Sequence, residues 1–111
     1  MAYDEDLAAR IRELVTDEAT LSEKKMFGGL AFLIGGNMAI AASGGGGLMV
    51  RVDPDQSDAL VSTTSATVMV MRGRPMSGWL YLETSAVAAA GELEEWVGRG
   101  VSFARSLPPK R

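Results

Sequence analysis

A narrow set of side-chain chemistries is open to this chain. None of its 111 residues is His and none is Cys. Composition therefore excludes Ser-His-Asp and Cys-His constellations, thiol nucleophiles, disulfides and the thiolate- or His-bearing zinc sites. Catalysis would have to rest on Lys, Asp, Glu, Ser, Thr or Tyr. Glu92, Glu94 and Glu95 cannot all share one helix face, and no second carboxylate cluster is spaced to make an acid/base pair with them. No catalytic residue, metal site or cofactor is expected, and the reading leans away from an enzyme.

The residues that could hold a ligand are basic. Lys24, Lys25, Arg51, Arg72 and Arg74 would converge if the first, fourth and fifth strands lay near one another, and two guanidinium forks could then clamp a carboxylate or phosphate. Lys25, Arg51, Arg72 and Arg74 form the candidate anion site. The competing expectation is a set of solvated strand-end charges that guard sheet edges and pair with an acidic first helix. Arg51 sits between Val50 and Val52 in a strand, so it must take the face opposite to theirs. Gly44 to Gly47 lacks the Gly-Lys-Ser/Thr and the helix of a phosphate cradle, and reads as a hairpin loop.

Charge is segregated along the chain. Acids predominate in residues 1–23. Residues 24–52 hold Lys24, Lys25 and Arg51 and no acid, and residues 96–111 hold bases only. The net charge is −3, whereas polyanion-binding domains carry a basic excess, so nucleic acid is not expected as a ligand. The sequence has no uninterrupted apolar run of roughly 18 residues, and it opens on Tyr3-Asp4-Glu5-Asp6, where a secretory leader would be positive. A cytoplasmic protein without a membrane span is expected.

The elements that must carry these residues are legible from periodicity and punctuation. Leu7, Ile11, Leu14 and Val15 recur at helical spacing behind Asp4, which can cap the helix. Short apolar segments follow, Lys25 to Phe27, Leu30 to Ile34, Met38 to Ala42 and Leu48 to Val52. They are broken by Gly28-Gly29, Gly35-Gly36-Asn37 and Gly44 to Gly47, an antiparallel meander joined by tight turns. Asp53-Pro54 predicts a short helix from about Asp55 to Val61. Ala66 to Met71 and Trp79 to Leu82 read as strands around a loop at residues 72–78. From Thr84, with Thr84 or Ser85 as cap, a long closing helix carries Val87, Ala90, Leu93, Trp96, Val97, Val101 and Ala104. Trp79, Tyr81 and Trp96 are expected to anchor that helix on the last strand.

The fold class is therefore α+β: a two-layer sandwich of mainly antiparallel sheet and helices, in the order α, three or four strands, α, two strands, α. One domain is expected over residues 1–107, with a short basic tail at 108–111. The strands are apolar at successive positions, as in Leu30 to Ile34 and Thr67 to Met71, where a sheet with one wet face would alternate. Seven methionines, several of them in these strands, suit an adaptable contact surface. Together they predict a second apolar sheet face, covered by a protein partner or by a second copy.

The run Lys24-Lys25-Met26-Phe27-Gly28-Gly29-Leu30, then Gly36-Asn37-Met38, then Leu48-Met49-Val50-Arg51-Val52-Asp53, resembles the signature of the TfoX N-terminal-domain family. Gly73-Arg74-Pro75-Met76-Ser77-Gly78-Trp79-Leu80-Tyr81 falls where that family carries its second motif. On this likeness Met26, Phe27, Gly28, Gly29, Pro75, Met76 and Trp79 are the motif residues, with structural roles. The resemblance implies a small α+β domain, and its full-length relatives are regulators of competence for DNA uptake. Those regulators have a further C-terminal helical domain, which is not expected in a chain ending at Arg111, and Glu83 stands where many relatives have proline. A regulatory or protein-interaction module is thus expected, with a small anionic-ligand-binding domain as the alternative.

Overall fold

The computed structural model describes residues 3–26 and 28–109. Phe27 and the last two residues of the expected basic tail lie outside the described residues. Three α-helices, a short 3-10 turn and six strands follow one another in the order α1 (Glu5–Val15), β1 (Leu21–Met26), β2 (Gly29–Ile34), β3 (Asn37–Ala42), β4 (Leu48–Arg51), α2 (Pro54–Thr63), β5 (Thr67–Met71), β6 (Arg74–Leu82), the 3-10 turn Thr84–Val87 and α3 (Ala90–Ser106). The strands form one antiparallel sheet in the order β1-β2-β3-β4-β6-β5. The α+β architecture expected from the sequence is the one observed.

Capping begins α1 and α2 as the sequence indicates. The Asp4 carboxylate accepts a hydrogen bond from the Leu7 amide at 3.1 Å, and Asp53 accepts one from Asp55 at 2.9 Å, each satisfying an amide that the first helical turn leaves free. Helix α1 buries Leu7, Ala8, Ile11 and Val15. Leu14, expected on the same stripe, is exposed instead, because Leu7, Ile11 and Val15 already fill the narrow face. Two ion pairs tie the acidic N-terminal segment to the rest of the fold. Arg12 forks onto Glu23 at 2.7 and 3.0 Å, and Arg105 of α3 holds Glu18.

All the helices pack on one face of the sheet. The core between the layers joins Phe32 and Ile34 of β2, Ile40 and Ala42 of β3, Leu48 and Val50 of β4 and Leu80 and Leu82 of β6 to Leu93, Trp96, Val97, Val101 and Ala104 of α3. Successive strand residues point to opposite faces, so the residues between these lie on the other side.

Four expectations need correction. Strand β1 begins at Leu21 rather than near Lys25; it is an edge strand with no buried side, so it carries no alternation to read. Residues 72–78 are not a loop. Arg72 and Gly73 make a two-residue turn with φ of 54° and 77°, and β6 resumes at Arg74. The closing α-helix starts at Ala90 after the 3-10 turn, and the Thr84 hydroxyl accepts a hydrogen bond from Gly47 at 3.1 Å instead of capping α3. Trp79 and Tyr81 do not meet α3 as a pair with Trp96; alternation with buried Leu80 and Leu82 turns them to the opposite face, and only Trp96 enters the core.

Candidate functional site

The open face of the sheet is apolar. Ala31, Met38 and Ala41 are buried there, with Met26, Leu33, Met49 and Trp79 packed against them. This second cluster is the face whose covering the successive apolar strand positions predicted. Its floor is low because Ala31 and Ala41, paired across β2 and β3, and Gly29 beside them carry little or no side chain. Methionines and Leu33 rise around that floor. The result is a trough of about 730 Å³, within the roughly 300–1,000 Å³ typical of binding pockets.

Two irregularities curve the sheet around the trough. Between Phe32↔Ile40 and Leu33↔Met38, Ala39 is an extra residue on β3. Between Val68↔Leu80 and Met69↔Met76, β6 carries Ser77, Gly78 and Trp79 without β5 partners. Bulges of this kind bend the strand that holds them and increase its twist. Gly78 has a φ of 88° and lies so close to the start of α2 that an added Cβ would sit 2.9 Å from the Val52 carbonyl oxygen. The Val52 amide in turn donates to the Gly78 carbonyl at 2.7 Å. Beyond this bend β5 and β6 project past β4 as an arm, and Met69 and Met76, opposite each other across it, line the trough.

The charged residues divide sharply. Lys24 and Arg51 line the trough, and among the described residues its lining contains no acid. Arg51 pairs in register with Trp79, and its guanidinium carbon stands 5.0 Å from the Trp79 ring centre and 5.5 Å from that of Phe103 on α3. Two aromatic faces within about 6 Å attract the cation through their ring quadrupoles. Lys25 pairs with core-facing Leu30 and so turns to the helix side at the β1 edge. Arg72 and Arg74 are exposed at the arm's tip, by the opposite edge. The sheet therefore does not gather Lys25, Arg51, Arg72 and Arg74; Arg51 shares the trough face with Lys24, which lies three strands away. The sequence did hold part of this signal, since adjacent residues of a strand take opposite faces and Lys24 and Lys25 cannot both serve one site.

The motif residues take structural places. Gly28 turns with a φ of 78°, and a Cβ on Gly29 would lie 2.4 Å from the Ala42 carbonyl oxygen, so β2 can begin against β3 only with glycine there. Met26, Met76 and Trp79 line the trough, and Pro75 lies in the arm opposite Val70, where its missing amide costs no hydrogen bond to β4. The Gly44 to Gly47 loop borders the trough and is pinned by the Tyr81 hydroxyl, which donates to the Gly46 carbonyl at 3.0 Å. Asn37, the one buried polar residue of β3, donates to the Pro108 carbonyl at 2.9 Å and ties the C-terminal segment to the β2–β3 turn.

A second, more polar depression of about 500 Å³ lies between α2 and α3 around Gln56, Ser102 and Phe103. Arg99 beside it is already committed, stacked 4.5 Å from the Trp96 ring centre and paired with Glu95. Among the described residues no cluster of three or more carboxylates could hold a metal ion, and no helix is long and apolar enough to cross a membrane.

Comparison with known proteins adds one finding. Residues 13–104 match the model of the TfoX N-terminal domain. Neither a curated protein nor a solved structure matches the chain.

Proposed function

The chain belongs to the TfoX N-terminal domain family, and from that premise we propose that it is a protein-interaction module of regulatory type, which receives an apolar segment of a partner protein in the methionine-lined trough. The observation that carries this reading is the second apolar cluster, on the face of the sheet opposite the helices. A monomeric domain rarely leaves a large concave apolar patch to water. The trough spans the sheet from Lys24 on β1 to Met69 on β5, five strand spacings or about 24 Å. That is the length of roughly 16 helical residues, so a single amphipathic helix could lie across it. Methionine side chains are flexible and polarisable, and they can repack around such a segment.

Capture from a nuclease-treated lysate of the native host, with quantitative mass spectrometry, tests the reading. Three baits separate the surfaces: the natural chain, Ala41→Trp to fill the trough floor, and the Arg72→Ala/Arg74→Ala pair at the arm's tip. A protein held by the first and third baits and lost from the second supports the module. Equal retention by Ala41→Trp sinks it, and loss only from the double-alanine chain moves the weight to an anion site at the tip.

The strand edges favour a second form of the same reading, self-association. Strand β1 guards its edge with Glu23, Lys24 and Lys25, whereas Thr67 to Val70 of β5 carry no charge and Val70 is 62% exposed. Unguarded edges of this kind pair with further strands. Two copies joined antiparallel about Met69 would set Val68 against Val70 with no like charges opposed. Sedimentation velocity should then show a concentration-dependent dimer that Val70→Lys abolishes; a monomer at all concentrations removes this form.

A further inference from the structure

We infer that the partner segment carries a carboxylate, and that Arg51 is the residue which selects it. This rests on the trough being the docking site. Four other arginines on the folded body are satisfied internally: Arg12 by Glu23, Arg99 by Glu95, Arg105 by Glu18, and Arg10 by the Ala88 carbonyl, while Lys24 and Lys25 are exposed on the edge strand. Arg72 and Arg74 are solvated at the arm's tip. Arg51 differs from both groups. It is half-buried, its guanidinium lies over the rings of both Trp79 and Phe103, and among the described residues it has no ion pair.

Its position gives that spare cation a direction. Arg51 is the last residue of β4 and lines the trough beside Trp79, so its charge stands at the border of the apolar surface a helix would cover. A guanidinium already resting against aromatic rings loses less conformational freedom when a carboxylate arrives than a fully solvated one. The chain is net acidic, yet among the described residues the trough lining carries Lys24 and Arg51 and no acid, so its charge complements an acidic segment and repels a basic one. Lys24 is exposed on the edge strand, three strand spacings or about 14 Å away. It attracts the same sign of charge with less geometric demand.

A display library of 16-residue helical peptides, built with a fixed Leu/Met stripe and random residues along its flanks, tests the inference directly. It is panned against the whole chain and its Arg51→Gln, Arg51→Lys, Ala41→Trp and Ala41→Leu variants, each first shown to melt near the natural chain. The natural chain should enrich Asp or Glu over Gln at one flank position by at least about tenfold, the worth of a charge-assisted hydrogen bond. Arg51→Gln should keep the apolar selection and lose the acid preference, and Arg51→Lys should retain part of it. Both Ala41 variants should lose all enrichment. Apolar peptides enriched without acid preference, or an acid preference that survives Arg51→Gln, would overturn the role of Arg51 and leave the trough as a docking site. Enrichment that the Ala41 variants also show, or no enrichment at all, would overturn both.

Discussion

Alanine placed at Gly98 and at Gly100, two residues apart on α3, should change stability in opposite directions. Glycine inside a helix is less favourable than alanine by roughly 1 kcal/mol. At Gly98 an added Cβ meets nothing within 4 Å, so Gly98→Ala should stabilise the chain by about 0.5–1 kcal/mol. At Gly100 the same atom would lie 2.3 Å from the Ala39 carbonyl oxygen, 3.1 Å from the Ala39 carbonyl carbon and 3.3 Å from Val50 Cγ1. The first two obstacles are backbone, so no rotamer change relieves them. Helix α3 must withdraw, or the β3 bulge must flatten. Withdrawal loosens Leu93, Trp96, Val97 and Val101 together, and a gap of even 0.5–1 Å forfeits a quarter to a half of each contact's dispersion energy. Overpacking typically costs about 1–3 kcal/mol; a backbone clash belongs at the upper end, which leaves a net loss of about 2 kcal/mol after the propensity gain. Thermal and urea unfolding, followed by far-UV circular dichroism and tryptophan fluorescence, should place Gly100→Ala about 8 °C below the natural chain and Gly98→Ala a few degrees above it. A Gly100→Ala chain at least as stable as the natural one would refute the close approach of α3 to the bulge.

Three further outcomes are expected. Ser57 of α2 is buried and its hydroxyl has no hydrogen-bond partner among the described residues, so Ser57→Ala should raise stability by about 1 kcal/mol in urea titrations; a loss would show that the hydroxyl is satisfied. Arg72 opens a turn with positive φ, a conformation asparagine adopts more readily, and Arg72→Asn should gain roughly 0.5–1 kcal/mol in the same assay. The Arg12 hydrogen bonds hold the Glu23 carboxyl below the usual carboxylate range. A depressed folded-state value means that this contribution is complete above that range and disappears as the pH falls through and below it. Stability should therefore decline more steeply with acid in the natural chain than in Glu23→Gln, and parallel curves would show the pair to be inert.

The meander and the starts of α1 and α2 are legible in the sequence because they depend on local chemistry. Glycine runs mark the turns, and Asp4 and Asp53 sit where a carboxylate can reach a free amide. Strand β1 was harder, since Ser22-Glu23-Lys24-Lys25 lies at an edge with no buried side and leaves no periodicity behind. In the sequence the arm reads as a loop because Arg72-Gly73 and Pro75-Met76-Ser77-Gly78 look like continuous punctuation. In the fold the first pair is a turn and Gly78 a bend within one strand. Pro75 is tolerated between them because β6 there has outrun β4. Thr84 carries a cap's side chain but meets the Gly47 amide across the sheet, a long-range contact that local spacing does not encode.

The candidate site shows the same division between composition and register. An apolar second face could be read from Leu30 to Ile34 and Thr67 to Met71, and the methionines could be counted. Concavity could not, because it depends on register: one extra residue on β3 and three on β6 interrupt the pairing beside a floor of Ala31 and Ala41. Strand register also decides the basic residues. It leaves Lys25 on the helix side, carries Arg72 and Arg74 out on the arm, and sets Arg51 beside Trp79 at the trough. The anion site anticipated as a cluster is thereby reduced to one stacked guanidinium next to an apolar groove. That combination suits an acidic residue on an amphipathic helix better than a small, highly charged anion, which would need several donors converging on it.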